Sequence, residues 1–305
     1  MKMDALLNEI AAKSQSLTDE PRRIFHGRGQ TIAGYEHLVI DWYPPVVLIT
    51  LYRQEKPAFL NELKQHLDDL FKAKLQGVVV QDRSNRDENS MILCGTCPTD
   101  LVVTEAGLNF SVRPLSRQNV GFFPDMKTGR QLVRQISRNK KVLNLFAYTC
   151  GFSVAAIDGG AKQVVNVDMN ANLLEWGREN HRLNNHDLRQ VSFIAHNLFK
   201  SFGRLKQLGP FEMIIIDPPY RQGDNFRAER DWPKIMRHLP SLLTPNGEII
   251  AAVSAPELGQ NFLLGQFREY LPDAKRLTAL TAGADFPEAD SDKGLHIQHY
   301  RLAGA

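Results

Sequence analysis

The sequence predicts an α/β fold, in which a doubly wound sheet of seven strands with an antiparallel last strand occupies residues 119-305 and a small α+β domain occupies residues 1-118. Three observations carry this expectation. After Gly121, apolar runs alternate with helical segments, the signature of parallel strands joined by crossover helices. The last two apolar runs are joined by a non-helical stretch, 282-294, which favours an antiparallel return. Before Gly121 the runs are shorter and separated by turn residues.

In chain order, residues 4-13 read as a short helix, followed by a polar segment with Gly27, Gly29 and Gly34 to which no regular element is assigned. A strand is expected at Val46–Leu51. Pro57, at a first-turn position, opens a helix whose Leu60, Leu63, Leu67, Leu70, Phe71 and Leu75 recur at helical spacing, so one face is buried. Gly77 ends it, and Val78, Val79 and Val80 start a strand. Segments 91-94, 101-104 and Leu108–Val112 read as further strands, the last two joined at Glu105, Ala106 and Gly107, which makes the first domain rich in short antiparallel strands. In the second domain strands are expected at 142-146, 163-168, 191-194, 211-216, 247-253, 275-281 and 295-302. The helices between them fall at 127-138, 152-159, 171-184, 198-208, 231-243 and 257-271.

Composition narrows the function classes. A hydrophobic content of 43% is that of a globular chain, and no apolar run approaches the roughly 20 residues of a membrane helix, so a cytoplasmic protein is expected. Three cysteines do not make a disulfide framework. Cys94 and Cys97 have the spacing of half a zinc site, but no second pair accompanies them, and buried thiols rather than a metal are expected. Net charge is +3. Its local clusters are Arg22 and Arg23 with Arg28, Arg83 with Arg86, and Arg134 with Arg138, Lys140 and Lys141. They could contact phosphates or be solvated faces.

Chemistry concentrates at strand ends. The apolar run Met213, Ile214, Ile215, Ile216 leads directly into Asp217, Pro218, Pro219 and Tyr220. Two prolines donate no backbone hydrogen bond, so the chain there is expected to leave the sheet with carbonyls available as acceptors, beside a ring that can stack on a base. The first strand of the second domain runs through Asn144 and Phe146 into Tyr148, Thr149, Cys150 and Gly151, where open α/β sheets bind ligands. Only Gly151 remains of the three glycines that a pyrophosphate-binding loop needs, which argues against a nicotinamide dehydrogenase. Asp168 ends the second strand, as an acceptor for ribose hydroxyls or as a cap for the next helix. Asn197 follows the third strand, placed to reach an adenine edge or to cap the helix beginning at Leu198. His26, His196 and the loop Asp285, Phe286, Pro287, Glu288 are open between local structural roles and a place near a substrate cleft.

The loop 145-152, Val167 with Asp168, and Asp217 to Tyr220 together resemble the cofactor and catalytic motifs of class I S-adenosylmethionine-dependent methyltransferases, a Rossmann-like fold. More narrowly, Gly121, Phe122, Phe123, Pro124, Asp125, the downstream Arg130, and Asp168, Met169 with Leu174, Glu175, Trp176 resemble the large-subunit ribosomal RNA methyltransferase group. The resemblance covers roughly residues 105 to 302 and not the N-terminal third. It implies S-adenosylmethionine as cofactor, with residues 144-151 cradling its methionyl part, Asp168 on the ribose, Met169 on the adenine face and Asn197 on the adenine amine. Phe123, Asp125, Arg130 and Leu198 join that cofactor set, and Asp217, Pro218, Pro219 and Tyr220 hold the target base. It further implies RNA, ribosomal RNA first, as partner, with no membrane and no metal; a homodimer is compatible with it. Where the family usually has Asp this chain has Asn197, and where it usually has Gly this chain has Cys150.

Methyl transfer from a sulfonium needs alignment of two reactants more than a metal or a nucleophile. An exocyclic amine could donate to the Asp217 carboxylate and the Pro218 carbonyl, leaving its lone pair aimed at the methyl. A pyrimidine carbon instead needs a thiolate to add to the ring. Members of the resembling group that modify cytosine carbon have a cysteine after the fifth strand, where this chain has Val253, Ser254, Ala255 and Pro256. The expected acceptor is therefore a base nitrogen in RNA. The alternatives are another acceptor (DNA adenine, a protein or a small molecule) or a non-catalytic RNA-binding module.

Overall fold

A computed structural model describes residues 2-16, 18-84, 89-117 and 119-303. Arg86 lies outside them, as does the expected boundary residue 118. The chain divides into two compact units, Met1–Asp125 with Gly283–Asp290, and Met126–Ala282 with Ser291–Ala305. Among the described residues no helix is long and apolar enough to cross a membrane.

The first unit contains α1 (Lys2–Ser14), β1 (Arg22–His26), β2 (Leu38–Tyr43), β3 (Val46–Leu51), α2 (Pro57–Phe71), β4 (Gly77–Asp82), β5 (Asn89–Gly95), β6 (Leu101–Glu105) and β7 (Leu108–Val112). Five strands form one sheet in the order β1-β2-β3-β4-β5, while β6 and β7 form a separate hairpin. Antiparallel pairs predominate, as expected, while β3 and β4 pair in parallel with α2 as their crossover. β1 and β2 occupy the segment to which no element was assigned. Their charges hide the strand pattern, because Arg23 and Asp41 face each other across the ladder and bond through two nitrogens and both carboxylate oxygens (2.8 and 3.1 Å).

The loop holding Asp285 to Glu288 belongs to this first unit, and its side chains take up local structural roles there. Asp285 pairs with Arg22, and Arg23 lies 4.7 Å over the Phe286 ring. His26 bonds Arg23 through Nδ1 (2.8 Å) and Glu288 through Nε2 (3.0 Å). Burial, then the charge of Arg23, lowers the His26 pKa to about 3, so the neutral ring accepts from Arg23 and donates to Glu288. The arginine clusters are thus largely internal fastenings. Arg134 pairs with Asp158 and Lys140 with Glu248, Arg83 bonds Gln81, and Arg28 lies over the Tyr52 ring.

The second unit runs α3 (Lys127–Ile136), β8 (Lys141–Leu145), α4 (Gly151–Asp158), β9 (Gln163–Asp168), α5 (Ala171–Leu183), β10 (Val191–Ala195), α6 (Phe202–Leu208), β11 (Phe211–Ile216), β12 (Arg221–Gln222), β13 (Phe226–Arg227), α7 (Ala228–His238), β14 (Leu243–Val253), α8 (Gly259–Tyr270), β15 (Lys275–Leu280) and β16 (His296–Arg301). Its sheet has the order β10-β9-β8-β11-β14-β16-β15, with β16 antiparallel to both neighbours, as expected. Alternate residues face opposite sides. Leu143, Val165, Ile214 and Ile249 pack with Trp232 and Met236 of α7 and Leu263 and Phe267 of α8. On the other side, Val142, Val164, Met213 and Ile250 pack with Val133 of α3 and Phe152 and Ala156 of α4. The strand order turns at β8 and β11, so their carboxyl ends bound the crevice where such sheets bind ligands.

The antiparallel edge is locked by charge. Glu248 on β14 lies opposite Arg301 on β16 and accepts from Arg301 (2.8 Å), Lys140 (2.8 Å) and His299 (3.1 Å). Burial pushes its carboxyl up, but the bonds from His299, Lys140 and Arg301 outweigh this and hold it at about 2. The folded pKa lies below the ordinary 4.5, so this contribution is present above that pH and is lost as pH falls towards about 2. Glu248→Gln is expected to lower unfolding free energy by about 2 kcal/mol at pH 7. The gap to the parent should narrow steadily below pH 4 in urea titrations.

Candidate active site

The loop after β8 carries unusual backbone. Phe146 (φ +57°), Tyr148 (+49°) and Cys150 (+63°), three alternating side-chain-bearing residues, take the left-handed conformation. Each such residue costs about 1–3 kcal/mol and persists only where its surroundings over-determine it. Those surroundings are specific. The Ala147 amide donates to the Val167 carbonyl (3.0 Å), the Cys150 amide to the Ala147 carbonyl (2.7 Å), and the Asn180 side chain of α5 to the Thr149 carbonyl (2.9 Å).

Asp168, at the end of β9, is part of that scaffold. One oxygen accepts from the Tyr148 amide and the other from the Asn170 amide, both at 2.9 Å. The cap of α5 is Asn170, whose side chain accepts from Asn172 and Leu173 (2.9 and 3.3 Å), so Asp168 is not the helix cap. A carboxylate has about four acceptor positions, so two backbone bonds leave Asp168 able to accept two ribose hydroxyls. Met169 beside it is 40% exposed, an apolar surface of the kind an adenine face covers.

Asn197 does cap the turn that follows β10, since its oxygen accepts from the Phe199 amide (2.9 Å). Its Nδ2 lies 4.0 Å from the Met169 sulfur, so the amide remains beside the same surface. Leu198 is buried. The expected helix at 198-208 is a 3-10 turn over Leu198–Lys200 followed by α6. His196 bonds Ser201 (2.8 Å), a local role.

Asn144 is buried in the sheet, where its amide donates to Asn166 (2.9 Å), and Asn166 donates in turn to Ser153 (3.0 Å). It therefore holds β8 against β9 rather than lining an open surface. Gly151 opens α4, and a Cβ built there would lie 3.6 Å from Cδ of buried Arg130. Phe123 and Asp125 fall in the first unit, and Pro124–Met126 forms a 3-10 turn.

Cys150 stands where the resembling family has glycine, and the structure shows what makes room for it. Gly177 of α5 faces the thiol so closely that a Cβ built there would come within 2.3 Å of the Cys150 Sγ and 2.8 Å of its Cβ. Gly177→Ala is expected to cost about 1–3 kcal/mol through overpacking. Adding Cys150→Gly should recover most of the loss in thermal denaturation, because it removes the clashing sulfur and suits a left-handed residue.

At the neighbouring strand end, Asp217 is partly buried, Pro218 buried, and Pro219 and Tyr220 exposed. β11 pairs with β8 so that Ile216 lies opposite Leu145, which puts Asp217 to Tyr220 next to the β8 loop. One of the expected acceptor carbonyls is used internally, since Tyr220 accepts from the Ala228 amide (3.0 Å). That bond closes a hairpin, β12 with β13, which sequence reasoning missed; α7 starts at Ala228 rather than 231. The turn residues Gly223, Asp224 and Asn225 were the available signal. Buried Phe226 anchors this hairpin, its ring edge-on to Phe146 (5.0 Å) and stacked with Phe199 (6.4 Å).

Burial raises the pKa of all three thiols, Cys150 most strongly, so none is poised as a thiolate. Among the described residues no group of three or more His, Cys, Asp or Glu side chains gathers as a metal site.

Comparisons with known proteins agree with this architecture. Residues 22–301 match the model of the S-adenosylmethionine-dependent methyltransferase family, so the likeness extends into the N-terminal third, beyond the residue 105 expected. The ribosomal RNA large subunit methyltransferase I of Aeromonas salmonicida (strain A449) is 32% identical over 213 residues, 68% of this chain and 52% of the relative. The ribosomal RNA large subunit methyltransferase K/L of Shewanella sp. (strain MR-4) is 37% identical over 158 residues, 50% of this chain and 22% of the relative. The chain thus spans about half the length of the methyltransferase I relative and less of the other. Among solved structures, SMU.776 complexed with SAH aligns with a TM-score of 0.84 at 23% identity, over 98% of this chain and 80% of that one. The M. jannaschii tRNA m1G37 methyltransferase aligns with a TM-score of 0.62 at 14% identity, over 87% and 72%. At these identities the structural likeness speaks for the fold alone.

Proposed function

Because the chain belongs to the S-adenosylmethionine-dependent methyltransferase family, we propose that it transfers the methyl group of that cofactor to a base nitrogen in RNA, ribosomal RNA first. The observation that carries this reading is the adjacency of two strand ends: the β8 loop fastened to Asp168, and Asp217 to Tyr220 beside it. The bound cofactor supplies an activated methyl on a sulfonium, and the residues supply alignment. Asp168 accepts the ribose hydroxyls with the lone pairs its backbone bonds leave over, while Met169 and the Asn197 amide meet the adenine. Tyr148, Thr149 and Gly151, with Phe146, Arg130 and Leu198 around them, shape the methionyl end.

Asp217 and the Pro218 carbonyl accept hydrogens from the target amine and orient its lone pair, and Tyr220, 39% exposed, stacks on the base. Such a base must be single-stranded or flipped out. Nitrogen is favoured over carbon because the carbon route needs a thiolate at the target, and no cysteine follows Asp217 or the fifth strand, where Val253, Ser254, Ala255 and Pro256 stand. The curated relatives' names favour ribosomal RNA over DNA or protein. Incubation with methyl-tritiated cofactor and either deproteinised ribosomal RNA or DNA tests this, with label expected in RNA. Label in DNA alone, or in neither, would refute it.

A further inference from the structure

The hairpin β12–β13 has two faces. On one, Phe226 is buried between Phe146 and Phe199. On the other, Arg221 and Arg227 are directly opposed across the ladder, both exposed. Directly opposed residues have Cβ atoms about 4.5–5.5 Å apart, and two like charges at that separation destabilise a strand pair. A two-residue ladder has little to offset such repulsion with. The neighbouring cations are balanced: Arg230 and Lys234 both pair with Asp231, which also accepts from the Arg227 amide and so fixes where the hairpin meets α7. Among the described residues, Arg221 and Arg227 have no carboxylate within ion-pair distance; the Arg221 guanidinium only reaches the Gly223 carbonyl at 3.4 Å. Asp224 at the tip and Glu229 on α7 are the nearest acidic residues along the chain.

We propose that Arg221 and Arg227 form a clamp for the phosphodiester of the nucleotide flanking the methylated base. S-adenosylmethionine carries no phosphate, so a phosphate held here comes from the substrate and not the cofactor. Arg221 follows Tyr220 directly, which puts the clamp one residue from the ring that stacks on the base. A forked guanidinium pair takes a phosphate through several parallel N–H bonds, and its binding relieves the cross-strand repulsion. The Phe226 anchor against Phe146 then couples grip on the strand to the β8 loop. The clamp rests on the RNA reading above.

The test is fluorescence anisotropy with a labelled 20-nucleotide single-stranded RNA of mixed sequence, over a series of KCl concentrations. The double variant Arg221→Ala/Arg227→Ala is expected to bind about 10-fold more weakly, and to flatten the slope of log affinity against log salt by about 0.7, the value for one lost single-strand phosphate contact. Arg221→Lys/Arg227→Lys should keep most of the slope while losing part of the affinity. Calorimetric titration with S-adenosylmethionine should give parental affinity for both, which establishes that they fold. An unchanged slope in the alanine variant, with RNA binding intact, overturns the clamp and leaves the RNA reading standing. No RNA binding by the parent protein, with cofactor binding intact, overturns that reading and the clamp with it.

Discussion

Asp168→Ala is expected to weaken S-adenosylmethionine binding by about 100- to 10,000-fold. The carboxylate has two tasks. Its oxygens accept from the Tyr148 and Asn170 amides, which holds a loop with three left-handed residues in place. Its remaining lone pairs are assigned to the ribose. Hydrogen bonds to a charged acceptor contribute about 1.5–3 kcal/mol each, so two lost ribose contacts alone amount to about 3–6 kcal/mol, and each 1.4 kcal/mol is tenfold in affinity. Asp168→Asn separates the tasks. It keeps one oxygen for the Tyr148 amide and should fold as the parent does, yet bind cofactor at least about 10-fold more weakly. Calorimetric titration reads both. Parental affinity in the alanine variant would remove Asp168 from the cofactor site.

Asp217→Ala is expected to lower kcat by about 100- to 1,000-fold while cofactor affinity stays within a few fold. Orientation and proton acceptance matter only as the amine attacks, and a positioned acid–base group typically contributes about 100- to 10,000-fold. Loss of an interaction made only in the transition state lowers kcat and kcat/KM together. Tyr220→Ala should differ in kind. A stacked base contributes about 1–3 kcal/mol to binding, so its loss appears in KM for RNA more than in kcat. Single-turnover kinetics at saturating cofactor distinguish the two patterns. A rise in KM alone for Asp217→Ala, with kcat unchanged, would contradict its assigned role.

Legibility followed charge and periodicity. The five parallel strands of the large sheet were readable because buried parallel strands are written as near-continuous apolar runs such as 213–216, and the antiparallel end because a non-helical link precedes β16. β1 and β2 were not readable, since Arg22, Arg23 and Asp41 look like surface until each is seen with its ionic partner. The loop 285-288 stays open in the sequence for the same reason: its acidic residues answer Arg22 and His26 of the first unit. At the site, the strand ends were legible by position and their side-chain wiring was not. Nothing local distinguishes Asn144, turned into the sheet towards Asn166, from a ligand contact, and nothing near Cys150 points to Gly177, 27 residues on.

The most direct measurement is mass spectrometry of the nucleosides from deproteinised large-subunit ribosomal RNA after incubation with the protein and S-adenosylmethionine. A single base methylated on nitrogen, absent when Asp217→Ala replaces the parent protein, is the predicted result. A methyl on a pyrimidine carbon or on a ribose oxygen would contradict the account, as would RNA left unmethylated by a protein that binds the cofactor.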